Sequence, residues 1–309
     1  MFADINGIQI AYSDEGEGFP LAFIHGFPLS RGAWSKQVEA FKSNYRLITP
    51  DLPGFGESES SRGPVTMSRY ARGIDALLRH LGTGPVVLVG HSMGGYIALE
   101  FARAFPDALR GLVLVSTKSG ADSPENALTR QTTAEEVHQN GPSALVNAMA
   151  AKMLSANNGD EAMAASVRDL MTSSGSEGIV GALLGMAGRS DASAWIGGIH
   201  VPTLVIAGCD DTVIPPSESE SLARSIPGAK LKLIPGAGHL LAFEKPDAFN
   251  EALRCWLAWG DVSKRSAPSI PPNDLLNAIP LKPENATLES DDSRPGVDPA
   301  RQGTRITIR

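Results

Sequence analysis

Short β-rich apolar runs recur along the chain, each closed by glycine or an acidic turn: Leu21 to Ile24, Arg46 to Thr49, Val86 to Val89, Leu112 to Val115, Thr203 to Ala207 and Leu231 to Ile234. Between several of them lie stretches with apolar residues three and four apart: Met67 to Leu81, Tyr96 to Phe105 and Pro246 to Trp259. Strands that are apolar on both faces and alternate with amphipathic helices predict a parallel sheet covered by helices. Near the start, Ile5-Asn6-Gly7-Ile8 places Asn-Gly between alternating residues, the pattern of a type I′ hairpin. The pattern therefore predicts an antiparallel hairpin feeding a parallel sheet.

Two stretches break this pattern. There is no aromatic residue between Phe105 and Trp195, yet five of the eight methionines fall there: Met149, Met153, Met163, Met171 and Met186. Ala144 to Met149 and Ala162 to Met171 have helical spacing, so 116–195 is expected to be a helical cap inserted between two parts of the core, 1–115 and 196–262. From Ser263 to Arg309 there are seven of the 22 prolines, no aromatic residue and no lasting periodicity. A segment that buries so few apolar side chains does not offset its ordering entropy, and 263–309 is expected to be a disordered tail. Asn285-Ala286-Thr287 within it has the glycosylation pattern, which means little without an export signal.

Composition narrows the partners. The 309 residues include 27 Lys plus Arg and 34 Asp plus Glu, a formal charge of -7. That balance lacks the basic stripe that phosphate-backbone binding uses, so a nucleic-acid partner is not expected. Apolar residues are 42%, and with the 32 glycines the share reaches about half, the level of a packed globular protein. Cys209 and Cys255 are too few and too far apart for a disulfide framework. Met1-Phe2-Ala3-Asp4-Ile5-Asn6 has neither a basic start nor an apolar export segment, and no run of about 18 apolar residues offers a membrane span. A soluble, cytoplasmic protein is the expectation.

The strongest chemical signal is Gly90-His91-Ser92-Met93-Gly94, directly after Val86 to Val89 and before a helical stretch. A serine on a sharp strand-to-helix turn takes strained backbone angles, and small residues two before and two after it keep side chains out of the turn. Gly90, Gly94 and Gly95 meet that need. The turn lifts the Ser92 hydroxyl above the carboxyl edge of the sheet, at a helix N-terminus that favours developing negative charge. Serine alone is a weak nucleophile and requires a base within hydrogen-bond reach. Among the six histidines, His80 ends a helical stretch, His138 lies in the insert and His200 precedes a strand. His25 sits in a turn with another role, and His91, at the variable elbow position, is expected to point away from the hydroxyl. His239, in Gly236-Ala237-Gly238-His239, follows the last strand, where a base can lean over the carboxyl edge. An imidazole in this role needs a carboxylate to fix its tautomer. Gly208-Cys209-Asp210-Asp211, after Thr203 to Ala207, offers two, Asp210 and Asp211.

With these loops, the His25-Gly26-Phe27-Pro28 turn, the loop Asp51 to Ser58, and Val201-Pro202-Thr203 before the acid strand, the chain resembles the α/β-hydrolase superfamily across residues 1 to about 262. The resemblance implies an α/β fold with a mostly parallel twisted sheet flanked by helices and an inserted helical cap. It makes Asp211 the acid, in a Gly-x-x-Asp-x-x-x-Pro stretch ending at Pro215, and so implies a triad of Ser92, Asp211 and His239. It also implies an oxyanion hole formed by the backbone N–H groups of Phe27 and Met93. His25, Gly26, Gly90 and Gly94 then have structural roles, Gly26 by letting its turn present an N–H inward, and the loop 51–58 reads as scaffold.

Haloalkane dehalogenases and epoxide hydrolases of this superfamily carry aspartate at the elbow, and the latter also use cap tyrosines. Here position 92 is serine, and Tyr12, Tyr45, Tyr70 and Tyr96 lie outside the insert. The chemistry implied is acyl transfer on a small-molecule ester or lactone, without cofactor or metal, since there is no His-Glu-x-x-His and no cysteine pair at zinc spacing. In layout the chain is similar to small carboxylesterases and to 3-oxoadipate enol-lactonases, although His-Gly-Phe-Pro departs from the usual lactonase turn. Pro28 resembles the cofactor-free haloperoxidases, which make peracids and usually have Phe where this chain has His91. Carbon–carbon bond hydrolysis and a receptor without turnover are further alternatives. The methionine-rich insert reads as an apolar lid or simply as its own packing. Arg189 is expected on the surface in preference to meeting a substrate carboxylate.

Overall fold

The structure, a computed structural model, describes residues 1–259. The expected 263–309 tail with its Asn285 pattern, and 260–262 of the expected core, lie outside the described residues. The elements run β1 (Phe2–Ile5), β2 (Ile8–Glu15), β3 (Phe19–Ile24), α1 (Ser35–Phe41), β4 (Tyr45–Pro50), α2 (Met67–His80), β5 (Val86–His91), α3 (Met93–Ala104) and β6 (Leu109–Val115). Then follow α4 (Pro124–Asn140), α5 (Ser143–Met153), α6 (Glu161–Thr172), α7 (Ser176–Ala187), β7 (Thr203–Gly208), α8 (Pro216–Ser225), β8 (Lys230–Ile234), α9 (Leu241–Glu244) and α10 (Pro246–Trp259).

Asn6 and Gly7 take φ of 56° and 80°, the left-handed pair that a type I′ turn needs, and Ile5 pairs with Ile8 across it. The eight strands form one sheet in the order β1-β2-β4-β3-β5-β6-β7-β8, with β1/β2 and β2/β4 antiparallel and the remaining pairs parallel. Alternate side chains of the central strands serve two separate cores. Leu21, Phe23, Val87, Val89 and Val113 join Trp34, Phe41, Phe249 and Trp256 on one face. Ala22, Ile24, Leu88, Leu112 and Leu114 join Tyr70, Ile74, Ile97 and Phe101 of α2 and α3 on the other. Burial of each large apolar side chain stabilises by roughly 1.5–3 kcal/mol, and this is why the strands read as continuous apolar runs. β8 departs from that expectation: as the last strand of the sheet it exposes Lys230, Leu231 and Lys232. Lysines on an edge discourage pairing with another chain.

Between β6 and β7 stand four helices, α4 to α7. α5 and α6 carry the periodicity seen in the sequence. α4 shows none, because only Ala134 and Val137 among its 17 residues are buried. Its start is set instead by the Ser123 hydroxyl, which accepts from the Asn126 N–H at 3.2 Å, with Pro124 following. In α7, a β-carbon on Gly178 would strike Gly54, and one on Gly185 would strike the Val65 carbonyl. These glycines let the helix backbone dock on the loop 54–65, where the Val65 N–H donates to the Gly181 carbonyl at 3.0 Å. No helix among the described residues is long and apolar enough to cross a membrane.

Candidate active site

β5, β7 and β8 lie within four neighbouring parallel strands, so the loops leaving their carboxyl ends converge. Ser92 links β5 to α3 with φ 52° and ψ -113°, a conformation that a residue with a side chain adopts only under strain. β-Carbons on Gly90 and Gly94 would strike the Gly94 and Ile24 carbonyls, so the turn admits only glycine at both. The Ser92 N–H donates to the Val115 carbonyl at 2.8 Å, and the Thr117 hydroxyl donates to the Ser92 carbonyl at 2.9 Å.

The Ser92 hydroxyl lies 2.9 Å from His239 Nε2, and His239 Nδ1 lies 2.8 Å from Asp211 Oδ2. All three side chains are buried. Asp211 Oδ1 accepts from the N–H groups of Val213 and Ile214, both at 2.9 Å. Burial on its own would raise the Asp211 pKa, but the hydrogen bond and charge of His239, with the two amides, hold it below the ordinary carboxylate value. An ionised Asp211 makes His239 Nδ1 the donor and leaves Nε2 to accept from the serine hydroxyl. Asp210 turns to the insert instead, where its carboxylate accepts from the Ser155 hydroxyl at 2.6 Å.

Neither the Phe27 nor the Met93 N–H has an acceptor among the described residues. Met93 opens α3, where a helix leaves its first amides unpaired. Phe27 lies in the turn after β3, and its peptide bond to Pro28 is cis. His25 Nδ1 donates to the Gly26 carbonyl at 2.9 Å while Nε2 accepts from the Leu52 N–H at 3.0 Å. Full burial lowers its pKa against the pull of Asp51, so the neutral ring is a strut between this turn and the loop 51–58. Asp51 accepts from the Arg31 and Glu57 N–H groups at 2.7 and 3.0 Å and pairs with the Arg31 guanidinium. At Gly26 the structure adds a second reason for glycine, since a β-carbon would stand 2.5 Å from His91 Nδ1.

His91 points away from the hydroxyl but not away from the site. Its Nε2 donates to the His239 carbonyl at 2.9 Å, and the two rings are 4.9 Å apart. Burial, with the nearby His239, pushes its pKa down from 6.5 to about 3. The unfolded chain therefore takes up a proton that the folded chain refuses, and stability present above the unfolded value is lost as pH falls. Between about pH 6.5 and 3 this loss is on the order of 1 kcal/mol per pH unit. His91→Phe is expected to flatten that limb, read as a smaller drop in urea midpoint between those limits. An unchanged slope would contradict a buried neutral His91.

Sequence reasoning misses Glu244. This buried carboxylate accepts from the Gly238 N–H at 2.6 Å, the Ser155 N–H at 3.0 Å and Asn158 Nδ2 at 2.7 Å. It ties the loop carrying His239 to the turn between α5 and α6, and the Leu240 N–H adds a bond to the Met153 carbonyl at 2.7 Å. The one signal was a lone acid closing the apolar run Leu240-Leu241-Ala242-Phe243. Arg189 corrects an expectation: it is buried, with its guanidinium 3.9 Å from the Tyr96 ring centroid and 3.5 Å from Asp122. A buried guanidinium needs such partners. His80, His138 and His200 are exposed.

The sequence profile described as the alpha/beta hydrolase fold matches residues 20–246. A thermophilic esterase from Thermogutta terrifontis superposes with a TM-score of 0.80 at 39% identity, over 82% of this chain and 94% of that one. The enol-lactonase from Burkholderia xenovorans gives 0.78 at 26% identity, over 84% of this chain and 100% of that one. A non-heme chloroperoxidase of Kitasatospora aureofaciens is 30% identical over 78% of this chain and 92% of its own.

Proposed function

The chain belongs to the alpha/beta hydrolase family, and from that premise we propose that it is a serine hydrolase cleaving carboxylic esters of small to medium acyl chain. Ser92 Oγ attacks the ester carbonyl while His239 Nε2 takes its proton. The tetrahedral oxyanion accepts from the Phe27 and Met93 N–H groups. Collapse expels the alkoxide, which receives the proton from His239 and leaves an acyl group on Ser92. Water, deprotonated by the same imidazole, then releases the acid and restores the serine. Removal of one such oxyanion donor costs about 3 kcal/mol in other enzymes.

What carries the reading is the continuous relay Ser92–His239–Asp211, at 2.9 and 2.8 Å, and the unpaired N–H groups of Phe27 and Met93 support it. The similarity to an esterase supports it, and the similarities to an enol-lactonase and a chloroperoxidase fit the same acyl-transfer machinery. The test is a panel of p-nitrophenyl esters of increasing chain length, with a few lactones. Steady turnover, greatest on short to medium chains, is expected. A stoichiometric burst without turnover would favour a receptor, and turnover confined to lactones would replace the ester reading.

A further inference from the structure

A cavity of about 80 Å³ lies between the β1–β2 hairpin, the loop following β4, and α2. It exceeds several-fold the ~10–15 Å³ that one water requires. Ile5, Ile8, Ile10, Ile74 and Leu77 give it apolar walls. Tyr70 and Ser61 line it, 1% and 7% exposed, and neither hydroxyl has a hydrogen-bond partner among the described residues. An unsatisfied buried polar group costs about 1–3 kcal/mol, so two on one apolar wall are not accounted for by packing. Gly73, in the middle of α2, also lines the cavity, and a β-carbon there would meet nothing within 4 Å. Glycine inside a helix is about 1 kcal/mol worse than alanine. Here no close approach demands it, and its missing side chain leaves the cavity open. The exposed Arg69 is a further lining residue, with no ion-pair partner among the described residues.

Burial pushes the Tyr70 phenol above its ordinary value, so it stays a donor. The cavity thus sets three donors against an apolar chamber with room for roughly five to eight water-sized groups. We propose that it binds a short-chain monocarboxylate, with the alkyl chain against the isoleucines and the carboxylate on Tyr70, Ser61 and Arg69. Asp51 also lines the cavity, but its own carboxylate is paired with Arg31. The proposal involves none of the triad residues and stands apart from the hydrolase reading.

The test titrates the full chain, labelled with meta-fluorotyrosine, with sodium butyrate, each tyrosine signal being assigned by Tyr→Phe substitution. Tyr70 reports on the cavity, and Tyr96, on the helix that begins after Ser92, reports on binding near the triad. A saturable shift of the Tyr70 signal is expected, weakened about fivefold by Arg69→Gln. Gly73→Leu fills the cavity and is expected to abolish the shift while far-UV circular dichroism stays native. Butanol, which lacks the charge, is expected to shift Tyr70 only at much higher concentration. A Tyr70 signal that stays still, that responds alike to butanol and butyrate, or that ignores Arg69→Gln overturns the proposal.

Discussion

Asp211→Asn is expected to lower kcat on p-nitrophenyl butyrate by about ten-thousand-fold, with KM within a few-fold of wild type. The asparagine carbonyl can still accept from the Val213 and Ile214 N–H groups, as Asp211 Oδ1 does at 2.9 Å, so the loop has no reason to move. Its amide, however, presents N–H to His239 Nδ1, where the carboxylate accepted at 2.8 Å. Nδ1 must then accept, the ring proton moves to Nε2, and the nitrogen facing Ser92 no longer takes the hydroxyl proton. Asp210→Asn is the matched control. Its partner is the Ser155 hydroxyl, and its kcat is expected to stay within about tenfold of wild type. Similar losses at both positions would mean that the two carboxylates act through the loop and not through the imidazole.

The order of elements was legible because the central strands are buried on both faces. Val86 to Val89 and Leu112 to Val115 carry no polar residue that could belong to a helix face or an exposed edge. The elbow was legible for a steric reason, since only glycine clears the turn at 90 and 94. Helices α4 and α7 were not: one is almost wholly polar, and the other is apolar all round with glycines set by a contact from a distant loop.

At the site, local patterns singled out Ser92 and His239 as candidates, but their contact depends on three loops meeting at one edge of the sheet. The choice of Asp211 over Asp210 came from family resemblance, because spacing alone left both open. Glu244 and His91 were invisible in their supporting positions, since their bonds to Gly238 N–H and the His239 carbonyl are tertiary. Arg189 was misread for the same reason: nothing in its neighbours along the chain announces Tyr96 and Asp122.

That Ser92 carries the acyl group is tested by the steady-state rate of Ser92→Ala on p-nitrophenyl butyrate. Serine to alanine deletes only the attacking oxygen and leaves a side chain that fits the same strained turn, so circular dichroism is expected to remain native. A loss of about a million-fold in kcat is expected, the scale seen when such a nucleophile is removed elsewhere. Steady turnover within about tenfold of wild type would contradict it, because the chemistry would then proceed without the oxygen that lies 2.9 Å from His239.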